Sequence, residues 1–198
     1  MIGITTILPL LTAATITCDK NYFEQPPTYA ELKYEAQYNC KFNKPKNIKE
    51  SVLDDLIRVE KKFNVPPSLK GMILAAACRE SGFNTNAKGD YIKIKNKKLP
   101  RAIGILQQWR WYEKKYKFDR RNHVDAANAW MKHIVKQIPH IKRKCKFRTK
   151  NRIWVASWVT AIRYPKPGGR CYEKPTHYRT LKKWIRHIKK SRLEGCEC

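Results

Sequence analysis

The run Met72-Ile73-Leu74-Ala75-Ala76-Ala77-Cys78 constrains this chain more than any other stretch. A helix that is small and apolar all the way round has no face for water, so it belongs in the middle of a domain. Other elements must enclose it. The run then stops abruptly at Arg79-Glu80-Ser81-Gly82-Phe83-Asn84, a carboxylate followed by Ser-Gly and a polar turn. A helix C-terminus is the negative end of the macrodipole, and an apolar approach desolvates whatever stands there. Both effects favour a protonated acid, the state in which a glycosidase delivers a proton to a leaving oxygen. The alternative is a solvated glutamate at a helix end, a common surface residue.

Helical and strand periodicities place partners around this run. Ser51 and Asp54 resemble a capping box, and Val52, Leu53, Leu56, Ile57, Val59 and Phe63 keep one helical stripe. Val65-Pro66-Pro67 ends that stripe, and Ser68 is predicted to cap the central helix. Lys88 to Arg101 contains the alternation Tyr91-Ile92-Lys93-Ile94-Lys95 with a turn at Asn96-Lys97-Lys98, which predicts a short β-hairpin. Helices are predicted over Ile105 to Tyr116, Val124 to Ile138 and Asn151 to Ile162. A last basic helix, Tyr178 to Arg192, places Leu181, Trp184, Ile185 and Ile188 on one face. The expected fold class is mainly α, of α+β type, with a small hairpin beside a cleft. Residues 18–47, polar and marked by Pro26-Pro27 and Pro45, are expected to form an extension with a short helix from Ala30 to Tyr38. That extension would drape over a domain spanning 48–192 and be tied down through Cys40. Residues 193–198 form a Cys-containing tail.

Charge and cysteines bear on partners and compartment. The chain has 43 Lys+Arg against 16 Asp+Glu, a formal net charge of +27. Hydrophobic residues at 42% and six Trp argue for a folded globule rather than a basic disordered tail. Nucleic acid, anionic lipid and acidic cell-wall polymer all suit such a charge, which cannot choose among them. Residues 1–17 (MIGITTILPLLTAATIT) carry no charge and are too short to span a membrane. They read as a secretory signal peptide cleaved near Ala14 or just before Cys18, although the basic start is missing and Pro9 interrupts the run. A buried N-terminal strand or helix is the alternative. The expected location is outside the cytoplasm, in the periplasm or secreted, or on a membrane as a lipoprotein anchored through Cys18.

Leaving Cys18 aside, Cys40, Cys78, Cys145, Cys171, Cys196 and Cys198 allow up to three bridges in many connectivities. Cys196 and Cys198 are expected to pair elsewhere rather than with each other, and Cys78 reads equally well as a buried free thiol. A zinc site built from Cys171, His177, His187, Cys196 and Cys198 is the rival reading, but the spacings match no common zinc pattern. No metal or other cofactor is expected.

A second motif, Gly104-Ile105-Leu106-Gln107, follows Glu80 after 24 residues. A helix delivering a glutamate, a small hairpin and a helix beneath a cleft is the plan of lysozyme-like folds. Glu80-Ser81-Gly82-Phe83-Asn84 with Gly104-Ile105-Leu106-Gln107 resembles the peptidoglycan lytic transglycosylases of the soluble-lytic-transglycosylase type. The pair is also similar to the related goose-type lysozymes. The resemblance runs from Ile48 to Trp184, with further matches at Pro66-Pro67-Ser68 and at Asp125 with Asn128. It implies that Glu80 protonates the glycosidic oxygen between N-acetylmuramic acid and N-acetylglucosamine, then takes a proton from the muramoyl 6-hydroxyl as a 1,6-anhydro ring closes. One carboxylate suffices when the nucleophile is intramolecular. The resemblance also places Ser81 and Gln107 beside the glutamate, where local capping or core hydrogen bonding is the alternative for each.

Two departures bear on the reaction. Gly89-Asp90 resembles the Gly-Asp of goose-type lysozymes, whose aspartate helps place a water for hydrolysis. Their second aspartate, just after Gly-x-x-Gln, is missing here, where Gln108-Trp109 stands and no acid occurs until Glu113. Transglycosylation is therefore the favoured expectation, with Asp90 alternatively a turn residue at the hairpin base. Lytic transglycosylases also present Ala-Tyr-Asn-Ala-Gly in the late apolar helix, where this chain has Ala156-Ser157-Trp158-Val159-Thr160-Ala161. Trp158 is a candidate sugar-stacking face or a core residue. Val159 cannot make the asparagine's hydrogen bonds, which suits a modified, de-N-acetylated glycan, and Tyr164 is a candidate for the missing hydroxyl.

The expected partners are peptidoglycan strands and the anionic cell-wall surface, for a monomer, with Lys93, Lys95, Lys97 and Lys98 bordering the cleft. A basic nucleic-acid-binding module, stacking bases on Trp109, Trp111 and Tyr112, is the rival from a different class. A non-catalytic wall-binding protein is the third.

Overall fold

The computed structural model describes residues 20–41, 48–162, 171 and 175–195. The signal-like segment, Cys18, Tyr164, Cys196 and Cys198 lie outside them. The chain is mainly helical with one small antiparallel sheet, as the patterning predicts. In order, the elements are α1 (Lys20–Glu24), α2 (Tyr29–Asn39), α3 (Glu50–Lys61), a 3-10 turn (Pro67–Leu69) and α4 (Met72–Ser81). Then come β1 (Lys88–Ile94), β2 (Lys97–Ile103), β3 (Gln108–Trp109), α5 (Arg110–Tyr116), α6 (His123–Lys144), α7 (Lys150–Ile162) and α8 (Thr176–Glu194).

Helix α4 is the axis of the core. Every residue from Met72 to Cys78 is essentially inaccessible to water, and α3, α2 and α8 pack against it. Its two ends are built differently. At the N-terminus Gly71 is left-handed (φ 80°), and the N–H groups of Gly71 and Ile73 donate to the Glu60 carboxylate of α3. Ser68 is not the cap; it sits in the preceding 3-10 turn, because the chain bends once more at Gly71 before α4 begins. Burial pushes the Glu60 carboxyl above its ordinary value, with the two N–H donors and the Tyr29 hydroxyl acting in the opposite sense. Nor does Ser51 cap α3, whose N-cap is Lys49 with no side-chain bond. The capping box lies at α2 instead, where Thr28 and Glu31 exchange bonds.

The N-terminal extension is part of the core rather than a drape. Leu32 and Ala36 of α2 are fully buried in the same cluster as α4. Cys40 and Cys78 form a disulfide, which corrects the free-thiol reading of Cys78 and bears out the expected tether at Cys40. On the other side α2 is held to α8 by Arg192, whose guanidinium donates to both Glu31 oxygens at 2.7 Å, and by His187 Nδ1 against Glu35 Oε1 at 2.6 Å. A second disulfide joins Cys145 to Cys171.

In the hairpin, β1 and β2 pair from Lys88↔Ile103 to Ile94↔Lys97. The two-residue turn is Lys95-Asn96, both at positive φ, one residue earlier than the periodicity predicts. That is the geometry whose twist matches flanking strands, and Asn tolerates it well. The expected helix from Ile105 to Tyr116 also differs. Gly104–Gln107 is a turn, Gln108–Trp109 is the third strand, and only Arg110–Tyr116 is helical. Gly104 (φ 83°) cannot be replaced here, because a Cβ would lie 2.1 Å from the Arg120 carbonyl oxygen. Helix α6 runs past its expected end, through Pro139 to Lys144.

Candidate active site

Glu80 stands in the last turn of α4, half-buried, where the helix is closed by two left-handed residues, Gly82 and Phe83. Their N–H groups return to Cys78 and Ala77 carbonyls, so the chain turns sharply away and leaves Glu80 at a rim. Ser81 then ties the two sequence motifs together. Its hydroxyl, buried, donates to Ile105 O at 2.8 Å, across the start of the Gly104–Gln107 turn. Ser81 is thus a brace between α4 and the turn rather than a lining residue, the local role named as its alternative.

Glu80 opens into a cleft of about 490 Å³. The hairpin supplies Gly89 and Asp90, the turn supplies Leu106 and Gln107, and Gln108, Trp109, Trp111, Tyr112, Trp130 and Ala161 line the rest. Gln107 is held from both ends. Its Nε2 donates to Gly104 O at 2.9 Å, and its Oε1 packs so close to Gly89 that a Cβ there would lie 2.4 Å away. A side chain at Gly89 would displace the Gln107 amide from the position it holds in the cleft. Asp90 is left-handed (φ 46°) inside β1 and breaks the ladder between Gly89↔Ala102 and Tyr91↔Pro100. It is therefore a strand irregularity rather than a turn residue, and its Oδ2 accepts the Trp109 indole N–H at 2.8 Å.

The remaining expectations divide. Trp158 is 1% exposed and offers no stacking face, because α7 is enclosed at that turn by α6 and α8. Val159 is buried as well, and the residue α7 brings to the cleft is Ala161. Tyr112 lines the cleft but is 5% exposed, with its hydroxyl donating to Ala129 O, so it offers no open face for base stacking. The hairpin lysines point to solvent, outside the cleft lining. The zinc candidates are separately engaged: Cys171 in its disulfide, His177 with Glu80, His187 with Glu35.

His177 is the site residue that sequence reasoning misses, having met it only in a zinc alternative that the cysteine and histidine spacings disfavour. It lies in the first turn of α8, 2% exposed, with Nε2 2.7 Å from Glu80 Oε1. Its Nδ1 receives the indole N–H of Trp158 at 3.2 Å. The signal was available, since His177 precedes Leu181 by four residues and continues the Leu181, Trp184, Ile188 stripe. Two further polar atoms in the cleft wall, Gln108 Oε1 and Trp130 Nε1, are buried without a hydrogen-bond partner among the described residues.

Trp109 and Trp111 also border a second groove of about 670 Å³, lined by the hairpin residues Ile92, Ile94 and Leu99. Its cations are Arg101, Arg110, Arg120 and Arg121 against the acids Glu113 and Asp119, with Arg120 paired to Glu113 and Arg101 stacked 4.0 Å over the Trp109 ring. Comparisons with protein families, with curated proteins and with solved structures find no match to this chain.

Proposed function

We propose that this protein is an exported glycosidase that cuts the β-1,4 bond between N-acetylmuramic acid and N-acetylglucosamine in peptidoglycan, by lytic transglycosylation. The observation that carries the reading is the half-buried Glu80 carboxyl in a cleft where, among the described residues, the one other acidic lining residue is Asp90. Glu80 gives its proton to the glycosidic oxygen, and the C1–O bond breaks with its electron pair on that oxygen. The muramoyl 6-hydroxyl then bonds to C1 and returns its proton to Glu80. No water is consumed, so no second carboxylate is needed to activate one.

The shape and charge support a polymeric, anionic substrate. Cleft and Arg-lined groove meet at Trp109 and Trp111, giving a continuous aromatic rim for sugar rings and cations for the acidic groups of a wall polymer. The two disulfides suit an oxidising compartment, and no helix among the described residues is long and apolar enough to cross a membrane.

A second reading, hydrolysis as in goose-type lysozymes, is favoured by the presence of Asp90 in the same cleft. Mass spectrometry of digested muropeptides separates the two. Anhydromuramic ends are the expected result, and products heavier by one water would establish hydrolysis. Glu80→Gln should abolish cleavage, and undiminished activity in that variant would overturn the assignment of the acid.

A further inference from the structure

The polar group against Glu80 is an imidazole whose tautomer is set by its other neighbour. An indole N–H only donates, so His177 Nδ1 must be the accepting nitrogen, and in the neutral ring the hydrogen resides on Nε2. That hydrogen lies toward Glu80 Oε1, 2.7 Å away. Aromatic rings border the imidazole: Trp130 stands edge-on to it at 6.5 Å, and Trp158 packs against Trp130 at 6.0 Å. At 2% exposure, water does not compete for either nitrogen.

From this chain of contacts we propose that His177, held by Trp158, is the positioning residue for Glu80. The inference rests on Glu80 being the acid and adds how the acid is aimed. A carboxyl group that accepts a hydrogen bond on Oε1 carries its own proton on the other oxygen. His177 therefore commits Oε2 to proton delivery and fixes the carboxyl plane. When Glu80 later acts as base, the same Nε2–H stabilises the carboxylate, while Oε2 receives the 6-hydroxyl proton. One donor thus serves both halves of the cycle without itself exchanging a proton. Trp158, which the sequence left as either a sugar-stacking face or a core residue, is core and acts on the substrate only through His177 and Glu80.

Two isosteric replacements test this. Gln at 177 keeps an N–H at the Nε2 position and so keeps the donor to Glu80. Asn keeps an acceptor for Trp158 and loses that donor. On purified glycan strands, His177→Asn should lower kcat by about 10–100-fold, the usual cost of losing an orienting partner, with KM unchanged. His177→Gln should recover most of that loss. Equal kcat values in the two variants, or a loss confined to KM, would overturn the proposal. An activity-independent measurement accompanies the kinetics: ¹⁵N NMR of the His177 imidazole in the wild-type protein should show the hydrogen on Nε2, and a hydrogen on Nδ1 would refute it even if the variants failed to fold. If Glu80→Gln remained active while the tautomer was as expected, the acid assignment would fail and the His177–Trp158 geometry would stand.

Discussion

The carboxylate of Glu60 reaches across from α3 and accepts the backbone N–H of Gly71 at 2.6 Å, capping the helix that carries Glu80 at its opposite end. Ile73 N–H and the Tyr29 hydroxyl complete its partners at 3.0 and 3.1 Å. Fully buried, Glu60 is tolerable only because each oxygen is satisfied. Glu60→Gln would turn an amide N–H toward one of these donors. The expected loss is about 1–3 kcal/mol, read as a lower urea midpoint. A midpoint equal to wild type would show that the cap contributes nothing.

The Cys40–Cys78 disulfide closes a separation of 38 residues and pins α2 to α4 two residues before Glu80. Constraining an unfolded loop of that size is worth about 4 kcal/mol in the chain-entropy account. Cys40→Ser with Cys78→Ser should therefore lower thermal stability sharply and reduce cleavage, since α2 and α4 share a core. Retention of the full melting temperature under reducing conditions would count against this.

His133 supplies a pH dependence. It is buried among Tyr112 and Tyr116, with its Nδ1 2.7 Å from the Tyr116 hydroxyl. Burial, then the nearby Lys115 and Lys136, push its pKa from 6.5 down to about 4. The unfolded chain binds the proton more readily, so the stability from this group is present above about pH 6.5 and is lost as pH falls toward 4. The loss is up to about 3 kcal/mol. Urea midpoints followed across that window should fall less in His133→Phe than in wild type, and parallel slopes would remove His133 as the cause.

Asp90 and Trp109 form one unit, through the 2.8 Å indole hydrogen bond. If that bond chiefly shapes the cleft wall, Asp90→Ala and Trp109→Phe, each of which removes it, should be non-additive, with the double variant no worse than the poorer single one. Both singles should still yield anhydro ends. A switch of Asp90→Ala from reducing to anhydro products would instead identify Asp90 as a water-placing residue.

Much of the architecture was legible in periodicity. The stripes of α3, α6, α7 and α8, the apolar α4 and the hairpin all follow from which residues recur at helical or alternate spacing. The turn at Gly104–Gln107 was misread as helix because Ile105 and Leu106 are apolar, while the left-handed geometry at Gly104 and Gln107 leaves no mark on hydropathy. Polar residues that work in the interior were the least legible. Glu60 and Glu35 look like surface residues in sequence, and only long-range partners make them buried ones; His177 lies on the apolar stripe of its helix, but nothing local says that it meets Glu80.

Sequence by itself determined the local facts: a small apolar helix ending in Glu80, a hairpin after it, and Gly-Ile-Leu-Gln beyond. Those depend on near neighbours, whose influence is carried by backbone preference and amphipathic spacing. Tertiary structure decided what touches the glutamate. Ser81 met Ile105 across 24 residues, and His177 met Glu80 across 97. Such contacts are set by how helices pack, and a donor's tautomer by what lies on its far side. Trp158 shows the difference, since sequence alone left it as either a sugar platform or core, and only its enclosure places its indole N–H on the histidine behind the acid.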